Sequence, residues 1–215
     1  MLGVRVISLP EEPNLPDAVF VEDTAVVLDE VAVLARPGAA ARLAEVSTIE
    51  PVLAAYRALR RIEVPGTLDG GDVLRLERVL YVGRSTRTNA AGITQLSQLV
   101  EPFGYRVRPV PVTGCLHLKS ACSHVGDAVV LVNGNWIDTG AFSEVEVVEI
   151  DAAEPAAANA VLVEDAVLMA SDVPRTADLI RNRGRRVVTV DLSELRKAEA
   201  GGTCMSLIFP EQPAA

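Results

Sequence analysis

The sequence predicts an α/β fold assembled from repeated strand–strand–helix–strand units. Three observations carry this reading. Short β-branched runs outnumber helical stretches along the chain. Two long segments repeat the same order of hairpin, helix and strand. Both helices in those segments stop at a glycine ahead of a basic, β-branched strand, which is a common helix ending. In one copy, residues 72–85 read as strand, tight turn and strand, followed by a helix, the turn Gly104-Tyr105 and a strand over 106–112. In the other, residues 159–171 give the hairpin, and Pro174-Arg175-Thr176 opens a helix that stops at Asn182-Arg183-Gly184 before a strand over 185–190. Residues 24–36 supply a third hairpin and 128–136 a degenerate fourth. A unit of this size cannot bury its own apolar face, so copies must pack around a common axis.

Taken in order, strands are expected over 4–7, 24–28, 31–35, 73–76, 79–82, 106–112, 116–120, 128–132, 145–150, 160–163, 166–169 and 185–190. Helices are expected over 43–59, 89–103 and 174–183. The first contains Pro51, as an internal break or a second N1 position. The second places Ile93, Leu96, Leu99 and Val100 at helical spacing.

At 215 residues and 49% hydrophobic content, the chain suits one folded domain over 1–215 with a substantial core. The net charge of -9 argues against a nucleic-acid partner, which needs a basic face. It fits a cationic small-molecule ligand, and equally a charge that keeps the protein soluble. No apolar run is long enough for a membrane span, so no membrane partner is expected. Residues 1–9 read as a strand rather than a signal peptide. Three cysteines, an odd number, do not suit a disulfide framework, which points to a reducing cytoplasm.

The chemistry-bearing residues are few. Cys204 follows Gly201-Gly202-Thr203 and leads into an apolar run, so a tight turn can hold its thiol at the mouth of a cleft. Strand alternation over 114–120 would put Cys115, His117 and Lys119 on one face. The set Cys115, His117, Cys122 and His124 does not have a common zinc spacing. Glu22 and Asp23 sit at a strand entry with Asp17 upstream, and Asp69 and Asp72 flank Gly70-Gly71. Such carboxylates either line a pocket that backbone must approach closely or make ordinary turns. Arg42 and Arg87 are the counter-groups; Arg87 lies just before a helix, as a carboxylate anchor or a solvated side chain. Together, a thiol, a histidine, strand-end carboxylates and two arginines suit attack on a cationic, planar carbon bearing nitrogen in an amino-acid-like substrate.

These segments resemble the dimethylarginine dimethylaminohydrolase family of the guanidine-modifying pentein superfamily. The resemblance runs from Asp17 to Leu207. It rests on Phe20-Val21-Glu22-Asp23, Arg36-Pro37-Gly38 with Arg42, and Leu68-Asp69-Gly70-Gly71-Asp72. It continues through Val82-Gly83 to Arg87-Thr88-Asn89, Leu116-His117-Leu118-Lys119-Ser120, and Ser193-Glu194 through Lys197 to Cys204. It implies a pentein α/β propeller of five pseudosymmetric strand–strand–helix–strand modules. Its first module would be incomplete here, because family members carry a further N-terminal stretch before the equivalent of Val4.

The resemblance also implies roles. Cys204 would be the nucleophile, His117 the general acid/base and Asp69 the carboxylate that orients the histidine. Asp23, with Glu22 beside it, would bind the guanidinium nitrogens. Arg42 and Arg87 would hold the α-carboxylate and Asp17 the α-amino group. The backbone carbonyl of Ala198 would touch the substrate. The implied reaction hydrolyses mono- or dimethylarginine to citrulline and a methylamine through a covalent thiouronium on cysteine. It requires no cofactor, although zinc at Cys204 and His117 is expected as an inhibitor, since thiolate and imidazole are good zinc ligands. Cys115 and Cys122 would be structural, and the protein a monomer or homodimer. The alternatives are arginine deiminase or another pentein amidinohydrolase and, in a different class, a non-catalytic pentein that binds a macromolecule.

Overall fold

The computed structural model describes residues 2–211. Four strand–strand–helix–strand units follow one another along them. In the first, β1 (Ala25–Val27) pairs antiparallel with β2 (Val31–Leu34), helix α1 (Val46–Ala54) crosses over, and β3 (Ala58–Arg61) lies parallel to β2. The second unit has β4 (Val73–Leu76), β5 (Val79–Arg84), α2 (Ala90–Val100) and β6 (Arg106–Pro111). In the third, a single helical turn α3 (Leu118–Ala121) precedes β7 (Cys122–His124) and β8 (Val129–Val132), and a 3-10 turn, Thr139–Phe142, leads to β9 (Glu146–Glu149). The fourth has β10 (Val161–Val163), β11 (Ala166–Ala170), α4 (Pro174–Arg181) and β12 (Arg186–Val190); a short helix α5 (Ser193–Arg196) follows it. Each unit is a separate three-stranded sheet with its hairpin antiparallel and its third strand parallel. A parallel partner cannot be reached by a tight turn, which is why a crossover precedes every third strand.

The middle strands explain why the repeat is visible in sequence. All of β2 is buried, and most of β5, β8 and β11, because each is covered on both faces and flanked by neighbours. Core clusters are shared between successive units rather than confined within them. One joins Val31, Val33 and Leu68 to Leu80, Leu96 and Val100; another joins Leu74 and Tyr81 to Leu118, Val130 and Phe142. After the fourth unit the chain returns to the first. Leu207 and Phe209 pack on Val46, Ile49 and Leu53 of α1, and Arg57 donates to the Pro210 carbonyl at 2.7 Å.

Both repeat helices end as expected. Gly104 and Gly184 take φ of +79° and +80°, the left-handed conformation that glycine adopts without penalty. Asn89 caps α2 by accepting from the Gly92 N–H.

Four expectations fail. The fourth hairpin does not lie over 128–136: β8 pairs with β7 on its N-terminal side, and residues 134–136 form a turn. No strand forms over 4–7: Val4, Val6 and Ile7 are exposed, and among the described residues no strand runs alongside them. The expected helix 43–59 divides, with a 3-10 turn at Ala40–Glu45, α1 running through the exposed Pro51, and β3 where Ala58–Arg61 had read as the helix end. Pro51 is thus neither a break nor a start. The expected strand 116–120 is instead an extended His117 followed by α3. The cause is Asp72, whose buried Oδ1 accepts the Leu118 N–H at 2.9 Å and starts the turn.

Candidate active site

Every unit contributes the segment just before its first strand. The first contributes the 3-10 turn Val21–Thr24 ahead of β1, and the second Asp69 with the turn Gly70–Asp72 ahead of β4. The third contributes His117 and α3 ahead of β7, and the fourth Asn159 ahead of β10. A further 3-10 turn, Thr203–Met205, carries Cys204. Equivalent positions in successive units therefore converge at one end of the fold.

His117 is at the centre. Its Nε2 lies 2.9 Å from Asp69 Oδ2 and 3.8 Å from Asp23 Oδ1. Asp69 is fully buried; its other oxygen accepts the Gly38 N–H at 2.8 Å, so the carboxylate is fixed on both sides. Asp23 Oδ1 accepts the Gly71 N–H at 2.9 Å. Gly71 is required for this approach, since a Cβ there would stand 2.6 Å from Asp23 Oδ1 and 2.9 Å from His117 Nδ1. Burial alone would lower the His117 pKa. The Asp69 hydrogen bond and the charges of Asp23, Asp72 and Asp69 outweigh it, leaving the pKa above the ordinary histidine value. The protonated imidazolium is favoured relative to an ordinary histidine.

Glu22 faces the other way. Its Oε1 pairs with Lys119 Nζ at 2.7 Å, and its Oε2 accepts the Thr203 hydroxyl at 2.8 Å. Burial nonetheless raises its pKa, despite Lys119. Both oxygens are engaged by the protein, so Glu22 ties the His117 segment to the Cys204 segment. The Cys204 thiol is half-buried and accepts the Gly201 N–H at 3.4 Å. Burial and the Glu22 charge raise its pKa, which keeps it protonated at neutral pH in the unliganded protein.

The arginines differ. Arg42 is buried; it grips Glu45 through Nε and Nη2, Asp23 Oδ2 at 2.5 Å, and the carbonyls of Phe20 and Asp17. One Nη1 hydrogen is left over. Arg87 is half-exposed, yet its Nη1 is buried without a hydrogen-bond partner. The Asp17 side chain is exposed, and Ala198 is exposed in the turn after α5.

The group Cys115, His117, Cys122 and His124 does not converge among the described residues. Cys115 turns back to the His117 carbonyl, and Cys122 is fully buried. Burial pushes the Cys115 pKa up to about 11 and raises that of Cys122 as well. Asp23, Asp69 and His117 do come within 4.8 Å of one another, but the Cys204 thiol is not part of that cluster. All three cysteines are free thiols. No helix among the described residues is long and apolar enough to cross a membrane.

Lys119, Thr203 and Asn159 also belong to the site, although their residue types do not mark them in the sequence. Lys119 and Thr203 lie two residues and one residue from His117 and Cys204, and that adjacency was the available signal.

No family model matches the chain. Among curated proteins, it is 39% identical over 211 residues to the dimethylarginine dimethylaminohydrolase of Streptomyces coelicolor, covering 97% of this chain and 81% of that protein. It is 36% identical over 208 residues to the enzyme of the same name from Pseudomonas aeruginosa, covering 96% and 82%. The chain belongs to the dimethylarginine dimethylaminohydrolase family. A crystal structure of the Pseudomonas aeruginosa family member, a cysteine-to-serine variant complexed with citrulline, superposes with a TM-score of 0.89 at 35% identity, over 92% of this chain and 78% of that one. The N-terminal domain of the cyanobacterial arginine dihydrolase ArgZ, at 18% identity and a TM-score of 0.84, shares the fold. The pentein α/β fold therefore holds, with four three-stranded units among the described residues rather than five.

Proposed function

We propose that this chain hydrolyses Nω-methylated arginine to citrulline and a methylamine, with Cys204 as nucleophile and His117 as general acid and base. One observation carries the reading: His117 is held by Asp69 beside Asp23, and the chain Lys119–Glu22–Thr203 ties its segment to that of the half-buried Cys204 thiol. Family membership supports it, as do the citrulline complex and the S-methyl-L-thiocitrulline adduct of neighbouring structures.

Asp23 Oδ1 holds a guanidinium nitrogen by a charge-assisted hydrogen bond. The arriving cation offsets the Glu22 charge and lets the Cys204 thiol release its proton to water. The thiolate attacks the guanidinium carbon, and a tetrahedral adduct forms. His117 gives its proton to the departing methylamine, leaving a thiouronium on Cys204. The now neutral imidazole takes a proton from water, whose oxygen attacks the same carbon. Collapse breaks the C–S bond, the adduct's hydroxyl proton passes to the departing thiolate, and citrulline leaves with the Cys204 thiol restored. The cycle balances with a thiol, an imidazole and one water. Arg87, with its unpartnered buried nitrogen, anchors the α-carboxylate, and the exposed Asp17 takes the α-amino group. Arg42 braces Asp23 and offers its remaining hydrogen to the ligand, while Glu22 acts on the Cys204 loop.

The test is citrulline release from dimethylarginine, with acid-quenched mass spectrometry of the Cys204 peptide for the thiouronium. Cys204→Ser and His117→Ala should abolish turnover. A fully active Cys204→Ser protein overturns the mechanism, and faster ammonia release from plain arginine reassigns the substrate.

A further inference from the structure

We infer that Asn159 is the positioning residue that sets the distance between the Cys204 and His117 segments, an inference that rests on the function proposed above. Its amide touches both. Nδ2 donates to the Lys119 carbonyl at 2.9 Å, two residues after His117, and to Thr203 Oγ1 at 3.1 Å, one residue before Cys204. Oδ1 accepts the Thr203 N–H at 3.3 Å. The Thr203 hydroxyl donates a hydrogen bond to Glu22 Oε2, and Glu22 Oε1 pairs with Lys119 Nζ. The contacts form a closed ring of four residues, Asn159, Thr203, Glu22 and Lys119, drawn from separate parts of the chain.

Two further observations assign the task to this side chain. Gly201 packs directly on the Asn159 amide: a Cβ there would lie 2.3 Å from Asn159 Cγ and Oδ1. The Gly201 N–H is the donor to Cys204 Sγ, so the amide fixes the donor as well as the loop. The repeat supplies the second. The first three units place Asp23, Asp69 and His117 ahead of their first strands, and Asn159 occupies the corresponding place in the fourth. The fourth unit brings an amide where the others bring reacting or binding groups.

The chemistry explains why an amide is needed. Both Nδ2 hydrogens are donated, and the oxygen accepts a backbone N–H. An aspartate has the same shape but no donors. It would face the Lys119 carbonyl with an oxygen at hydrogen-bond distance and repel it. The loop would move by a fraction of an ångström to an ångström, and displacements of that size between reacting groups can lower rates about a hundredfold.

The experiment uses the full chain and two variants, Asn159→Asp and Thr203→Val, each checked for folding by circular dichroism. Two independent readouts are taken: dimethylarginine kinetics, and the rate at which iodoacetamide alkylates Cys204. In each variant kcat should fall at least tenfold with KM within threefold, and alkylation should quicken at least fivefold as the loop loosens. The double variant should be no worse than the poorer single, because both act through one link. Should Asn159→Asp fail to fold, Thr203→Val carries the same measurements. A folded variant with unchanged kcat and alkylation overturns the inference, as does a double variant whose losses multiply. If wild-type protein does not turn over dimethylarginine, the functional reading falls, and the alkylation rates still decide the role of Asn159.

Discussion

Glu22 Oε1 lies 2.7 Å from Lys119 Nζ, with side-chain exposures of only 7% and 18%. The two residues come from the segments that also hold Asp23 and His117, so this ion pair joins two walls of the site. Its remaining oxygen goes to Thr203, which brings in the third wall.

Removing one partner of such a pair is far more damaging than removing both, because the survivor is left charged and desolvated. Lys119→Met should lower stability by about 3 kcal/mol at pH 8, in the range for breaking a buried pair. Adding Glu22→Gln should recover part of that loss. Urea denaturation of the three proteins measures it, and a double variant less stable than Lys119→Met contradicts the pairing.

His117 links the site to pH. Its folded pKa lies above its unfolded value of about 6.5. The stabilisation it brings is therefore complete below about pH 6.5 and is lost as pH rises through the folded pKa. The stability gap between wild type and His117→Gln should be largest near pH 5.5 and shrink toward pH 9. Urea midpoints at constant m-value report it. A gap that grows with pH would mean the imidazole is held neutral.

How much of this was legible in the sequence depends on what each residue needs in order to be recognised. The middle strands were readable because two-sided burial leaves continuous apolar runs such as Val31–Leu34. Helix α2 was readable from its spacing and its glycine stop. The strand β3 was not, because Leu59 is flanked by Arg60 and Arg61 at an exposed sheet edge. Nor was the turn after His117, since Asp72, 46 residues earlier, decides it. The candidate nucleophile, base and carboxylates were legible by type and motif. The direction in which Glu22 and Arg42 point was not, because it depends on Lys119, Thr203 and Glu45 arriving through the fold.

Asp69→Asn tests the orientation of the histidine. The Asp69 Oδ1 position receives the Gly38 N–H, so an amide there turns its oxygen to Gly38 and its NH2 toward His117 Nε2. Two donors then face each other unless Nε2 gives up its proton. The imidazolium is disfavoured, and the His117 pKa falls. Because general acid catalysis contributes about 10²–10⁴-fold, kcat should drop by about a hundredfold or more. The acidic-side optimum of the remaining activity should follow the lowered pKa. A pH–rate profile superimposable on wild type would remove Asp69 from the mechanism.

The thiol gives a separate prediction. Burial and the Glu22 charge hold the Cys204 pKa above the ordinary thiol value. Alkylation by iodoacetamide in the unliganded protein should therefore rise with pH up to and beyond pH 9. A saturating non-reactive arginine analogue that leaves the thiol accessible should shift the profile downward, since its guanidinium offsets the carboxylates. If the analogue leaves the profile unmoved, the guanidinium does not bind beside Cys204, and the non-catalytic reading gains.

The two arginines should separate cleanly by measurement. Arg42 is buried among Asp23, Glu45 and two backbone carbonyls, and Arg42→Met would strand two carboxylates. Its dominant effect should be a stability loss of about 3 kcal/mol or more. Arg87 has no carboxylate partner at its buried Nη1, so Arg87→Met strands nothing. Stability should change by less than about 1 kcal/mol. The loss should instead fall on substrate binding. A hydrogen bond to a charged group is worth about 1.5–3 kcal/mol, so KM should rise about tenfold to a hundredfold with kcat far less affected. Thermal unfolding and steady-state kinetics on both variants decide the matter. If Arg87→Met unfolds while Arg42→Met only raises KM, the carboxylate anchor is Arg42 and the brace is Arg87. A substrate lacking its α-carboxylate provides the cross-check, because Arg87→Met should not weaken its binding further.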